Sequence, residues 1–134
     1  MVCDIVRAVA ACTGTDPSEI GVITPYRAQL ARIKAALLPP PSSPQPLLIE
    51  VSTIDQYQGR DKACIVVSLV RCNSGGQVGD LLRDWKRINV ALTRARAKLI
   101  LIGCARTLRH ALLWNTFLDL ADRNGWILRV DDNP

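Results

Sequence analysis

Arg87 and Arg94 stand seven residues apart in Arg87-Ile88-Asn89-Val90-Ala91-Leu92-Thr93-Arg94-Ala95-Arg96, a spacing that puts both on one face of a helix. Two guanidinium groups so placed can neutralise a phosphate, because their planar forks suit phosphoryl oxygens. A solvated basic face opposite an apolar stripe would carry the same pattern. A second segment, Ser52-Thr53-Ile54-Asp55-Gln56-Tyr57-Gln58-Gly59-Arg60-Asp61, ends with a glycine among amides and two opposite charges. Such a turn lets backbone approach a ligand closely, and a plain loop with a surface ion pair reads the same way. The third polar segment is Thr24-Pro25-Tyr26-Arg27-Ala28-Gln29.

Other chemistries have little material. No Gly-x-x-x-x-Gly-Lys-Ser/Thr phosphate loop occurs. No apolar strand ends in Asp-Glu to hold magnesium, and the lone His110 supports no Ser-His-Asp arrangement. The cysteines, Cys3, Cys12, Cys64, Cys72 and Cys104, are odd in number and lack the paired spacing of a zinc or redox motif. Cys64 and Cys104 lie in or beside apolar runs, where free cysteine acts as a small hydrophobe. The chain thus has arginines fit for anions but no nucleotide pocket of its own.

The elements that must position these groups alternate between helical and strand patterns, the signature of a parallel sheet with crossover helices. Helix is expected over Val2–Cys12, Tyr26–Leu38, Asp84–Arg96 (with Trp85, Ile88 and Leu92 on one face) and Thr107–Arg123, where Asn124-Gly125 ends it. Strands are expected at Gly21–Ile23, Leu47–Ser52, Ala63–Val70, Leu99–Gly103 and Trp126–Val130. The run 39–46 holds most of the prolines and reads as an exposed, semi-rigid surface loop. The expected fold is a three-layer α/β domain of about five mostly parallel strands. Ligands in such folds gather at the carboxyl ends of the strands.

With 134 residues and 49% hydrophobic content, the chain suits one packed domain. No apolar run reaches the ~18–20 residues of a membrane helix. Asp4 and Arg7 interrupt any signal-peptide pattern. The formal net charge of +5 allows a polyanionic partner and equally an ordinary basic surface.

Taken in order, Ile23-Thr24-Pro25-Tyr26-Arg27-Ala28-Gln29, Val51–Asp61 with Ile65–Arg71, and Arg87–Arg96 resemble motifs IV, V and VI of superfamily 1B, the Upf-like helicases. Asp61, where most of that group carry Glu, and the stretch Val78–Arg87 resemble its nuclease–helicase branch. The resemblance implies the C-terminal half of an ATP-dependent 5′-to-3′ DNA helicase motor, acting in replication and repair in the nucleus, with the mitochondrion as a second location. It implies Arg94 as an arginine finger, with Gly59, Asp61, Gln29 and Arg87 on the nucleotide side. Thr24, Tyr26, Ser52 and Thr53 match positions that touch single-stranded DNA; Tyr26 could stack on a base or simply anchor its helix. The shorter Asp61 weakens any direct nucleotide contact. ATP and Mg2+ are expected mainly on a first RecA-like domain upstream of Met1, which makes Met1 a fragment start. An iron–sulfur cluster is expected only in an upstream nuclease region. An RNA helicase of the same group and a non-enzymatic nucleic-acid-binding module remain the alternatives.

Overall fold

The apolar runs form four parallel strands, β1 (Ile20–Thr24), β2 (Glu50–Thr53), β3 (Lys62–Ser68) and β4 (Ala95–Ile102), in the order β2-β1-β3-β4. The computed structural model describes residues 1–39, 41–42, 49–57, 61–69, 75 and 78–130. Residues 40 and 43–46 of the proline-rich segment, and Gly59 and Cys72, lie outside them.

The alternation of side chains along β3 creates two cores. Cys64 and Val66 join Ile20, Val22 and Val51 beneath α1 (Val2–Thr13) and α2 (Arg27–Leu37), which contribute Val6, Ile33 and Leu37. Ile65, Val67 and Leu69 face the other way. They pack with Leu82 of α3 (Asp80–Arg83), Ile88 and Ala91 of α4 (Trp85–Leu92), Leu108 of α5 (Ala105–Leu108) and Trp114 of α6 (Leu112–Arg123). Helices therefore cover both faces, as expected of a three-layer RecA-like domain, and each fully buried aliphatic side chain contributes roughly 1.5–3 kcal/mol. Trp114 also donates its indole N–H to the carbonyl of Leu82 at 2.7 Å, tying α6 to α3. Burial pushes the Cys64 thiol up, so this cysteine serves the core as a small hydrophobe.

Several elements differ from the sequence expectation. The helix expected through Arg96 stops at Leu92, and Ala95 already belongs to β4. Ala91–Arg96 is helix-competent throughout, but the ladder of β3 recruits its last two residues, Ala95 and Arg96, into β4, and Thr93 turns the chain by donating its hydroxyl to the Asn89 carbonyl at 2.7 Å. Trp85 is half exposed; Ile88 and Ala91 carry the buried face instead. The helix expected over Thr107–Arg123 is two, α5 and α6, broken at Arg109–Ala111, and His110 lies in the break. Trp126–Val130 joins no ladder, leaving Trp126, Leu128 and Val130 exposed and four strands among the described residues. An apolar run of this length needs a strand beside it to become one, and among the described residues none pairs with it.

Gly21 is required by close approach. A Cβ at Gly21 would sit 2.7 Å from the Tyr57 hydroxyl oxygen and 2.9 Å from Ile65 Cδ1. Tyr57 is itself fully buried and cannot swing away. Gly21→Ala should therefore lower stability by about 1–3 kcal/mol, the usual cost of overpacking a core. Chemical denaturation would measure it, and an unchanged midpoint would show that Tyr57 yields without cost.

Candidate functional site

The residues singled out in the sequence fall at two opposite ends of the sheet. Asp61 immediately precedes β3 and Arg94 immediately precedes β4, so both stand at the amino ends of their strands. The ladder itself brings them together: Lys62 N–H donates to the Arg94 carbonyl at 3.0 Å. Arg94 Nη1 lies 3.5 Å from Asp61 Oδ1. Its Nε donates to the Val90 carbonyl at 3.2 Å and its Nη2 to the Thr93 hydroxyl at 3.4 Å. The guanidinium thus rests on the carbonyl end of α4, where the helix dipole favours a cation, with Nη1 toward Asp61.

Next to this pair is a clasp that the sequence did not announce. Between Lys62↔Ala95 and Cys64↔Lys98, β4 carries one more residue than β3. Such a bulge re-aims side chains. Here Arg96 Nη1 donates to the Asp61 carbonyl at 2.9 Å, and Nη2 meets the Glu19 carboxylate. Glu19 ends a 3-10 turn, Pro17–Glu19, and its Oε2 also accepts from Ala63 N–H at 3.2 Å. Lys62 Nζ completes the cluster, donating to the Ser18 carbonyl at 2.6 Å and lying 3.7 Å from Glu50. Arg96 stood inside a polar segment, but nothing in the sequence tied it to Glu19, 77 positions away.

At the carboxyl ends, Thr24 and Thr53 are register partners across β1 and β2, as are Ile23 and Ser52. Thr24 is fully buried, and its hydroxyl has no partner among the described residues. Thr53 is buried and Ser52 half-buried; the Thr53 carbonyl accepts from Gln56 and Tyr57 N–H at 3.2 and 3.0 Å, which turns the chain sharply after β2. Tyr26 caps α2, half-buried, and Gln29 follows in its first turn. Arg87 stands in the first turn of α4, away from Arg94. Its Nε lies 3.5 Å from both Asp55, just past β2, and Asp84.

The structure therefore pairs Arg94 with Asp61 and gathers Thr24, Tyr26, Gln29, Ser52 and Thr53 around the far ends of β1 and β2. It does not bring Arg87 to Arg94, because α4 ends before Arg94. Gly59 lies outside the described residues. Among the described residues no group of three His, Cys, Asp or Glu side chains could hold a metal ion.

Asp84 sets where α4 begins, its Oδ1 accepting from Lys86 and Arg87 N–H at 3.1 and 3.4 Å. Asp84→Ala should cost about 1 kcal/mol, the usual price of a lost N-cap, and lower the melting temperature by a few degrees. Asp84→Asn should recover most of it. Thermal unfolding followed by circular dichroism would check both, and equal losses would rule out the cap.

Residues 1–106 match the family model described as "AAA domain". The chain is 54% identical over 97 residues to the DNA replication ATP-dependent helicase/nuclease DNA2 of Xenopus laevis, covering 72% of this chain and 9% of that protein. It is 52% identical over 95 residues to the protein of that name in Homo sapiens, covering 71% of this chain and 8% of that one. The Schizosaccharomyces pombe protein is 42% identical over 120 residues, 90% of this chain and 8% of the relative. The chain thus spans less than a tenth of the length of these relatives. A match over residues 1–106, carried by a parallel sheet with helices on both faces, means that the chain belongs to the AAA domain family.

Proposed function

We propose that this chain is the second RecA-like half of an ATP-dependent 5′-to-3′ DNA helicase motor within a replication and repair helicase–nuclease, working in the nucleus. Membership of the AAA domain family implies use of ATP. The observation that carries the assignment is Arg94, whose guanidinium is braced by Val90 and Thr93 and keeps Nη1 in a weak, part-exposed pair with Asp61. A guanidinium so held suits an arginine finger for a phosphate held by another domain.

Phosphoryl transfer needs positioning and charge neutralisation more than covalent help. In this reading a first RecA-like domain holds ATP and Mg2+. The metal would supply charge neutralisation at the phosphates; the iron–sulfur cluster belongs to the nuclease part. Closure brings Arg94 to the γ-phosphate, with Asp61 beside it; Gly59 keeps its expected place on the nucleotide side by resemblance alone. Gln29 and Arg87, at the opposite end from Arg94, contribute to the cleft only through the placement of α2 and α4.

The carboxyl-end group is the proposed strand grip. Ser52, Tyr26 and the backbone around Thr24 and Thr53 face one edge of the sheet, suited to phosphates and a stacked base. The buried Thr24 and Thr53 hydroxyls shape this surface from beneath. The separation of the two groups across the strands lets closure at one end move the other.

In the complete motor, Arg94→Ala should lower DNA-stimulated ATP hydrolysis by ~10³-fold or more while leaving ATP binding in place. Steady-state hydrolysis and nucleotide-binding measurements would test this, and unchanged turnover would end the finger assignment. Comparing matched DNA and RNA substrates in unwinding assays separates a DNA motor from an RNA one.

A further inference from the structure

We propose that Asp61 is a resting partner for Arg94, a carboxylate that occupies the finger's free edge until a nucleotide γ-phosphate displaces it. The inference rests on the reading of Arg94 as the finger and concerns how that finger is regulated. Three of the guanidinium's nitrogens are already committed: Nε to Val90, Nη2 to Thr93 and Nη1 to Asp61. The first two partners belong to the end of α4 and move with Arg94. Asp61 belongs to the other strand and is the only one of these three that carries charge. It stands where an anionic phosphate oxygen would have to come.

Asp61 is not a wandering surface acid. Arg96 holds its carbonyl, Glu19 holds Arg96, and the β3–β4 ladder begins at the next residue. Glu19 and Arg96 are thus positioning residues, outside direct reach of the finger, that keep the Asp61 carboxylate in register with it. The contact is nevertheless replaceable. The Asp61 side chain is 53% exposed and Arg94 26% exposed, with 3.5 Å between them. Exposed pairs of this kind are weak and screened by salt. A phosphate oxygen carrying greater charge therefore displaces the carboxylate at little cost.

A competitor for the finger should lower apparent affinity only for ligands that reach the finger. ATP analogues with a γ-phosphate do so; ADP does not. The test therefore compares binding of a non-hydrolysable ATP analogue with binding of ADP in the complete motor. Asp61→Asn should raise the ratio of analogue affinity to ADP affinity by about two- to fivefold, the size an exposed ion pair supports. In an Arg94→Ala background the same substitution should leave that ratio unchanged. Glu19→Gln should move the analogue-to-ADP ratio in the same direction and by less, because Arg96 keeps its bond to the Asp61 carbonyl. Weaker analogue binding in Asp61→Asn, no shift, or equal shifts for both nucleotides would overturn the proposal and leave the finger assignment standing. Normal hydrolysis by Arg94→Ala would instead remove the finger assignment, and this proposal with it.

Discussion

The pairing of β4 with β3 is the constraint on which the site depends. β3 is buried on both faces, so its ladder groups must find strands on each side. β1 serves one edge, and the chain after α4 serves the other. That demand ends α4 at Leu92, starts a strand at Ala95 and leaves a two-residue turn between them. Arg94 sits in this turn because the turn is what remains between a helix and a strand that both have to form. Its carbonyl is tied to Lys62 N–H, and Asp61 is consequently its neighbour.

The same pairing explains what could and could not be read from the residues. Ala63–Val70 announces a buried strand because its apolar run is unbroken, and Val2–Cys12 announces a helix through its periodicity. Both appear, with ends shifted by a residue or two. Arg87–Arg96 misleads because its intrinsic preference is helical throughout and nothing local marks the switch at Thr93. A long-range ladder overrides the propensity. The split between α5 and α6 is equally non-local: the buried indole of Trp114 must reach the Leu82 carbonyl. Trp126–Val130 shows the converse, a strand-like pattern that pairs with no strand among the described residues. In the site, Arg94 and Asp61 were visible as residue types in polar segments. Their contact, the extra residue in β4, and the role of Glu19 exist only once the sheet is assembled.

The two ends of the strands also divide the polar residues by chemistry. Charged groups gather at the amino ends, where Arg94, Asp61, Arg96 and Glu19 are linked in turn and Lys62 pairs with Glu50. At the carboxyl ends, hydroxyls and a phenol at Thr24, Ser52, Thr53 and Tyr26 stand beside the Asp55–Arg87–Asp84 ion pairs. The usual rule that ligands collect at carboxyl ends describes only the second group. The first group lies outside that rule, at the end where the proposed arginine finger stands.

The strength of the Arg94–Asp61 contact follows from that position. A fully buried pair would leave an uncompensated charge behind whenever the finger moved, at a cost of several kcal/mol, about 3–5 when one partner is lost. Such a latch would not open for a nucleotide. A finger with no partner would be free to sample many rotamers, and ordering it on each closure would cost up to about 2 kcal/mol of side-chain entropy. The observed arrangement lies between these limits. Val90 and Thr93 fix the direction of the guanidinium, which reduces the ordering cost, and an exposed carboxylate holds its free edge weakly. Arginine suits this exchange better than lysine, because its fork can keep two bonds to its own helix end while changing the third.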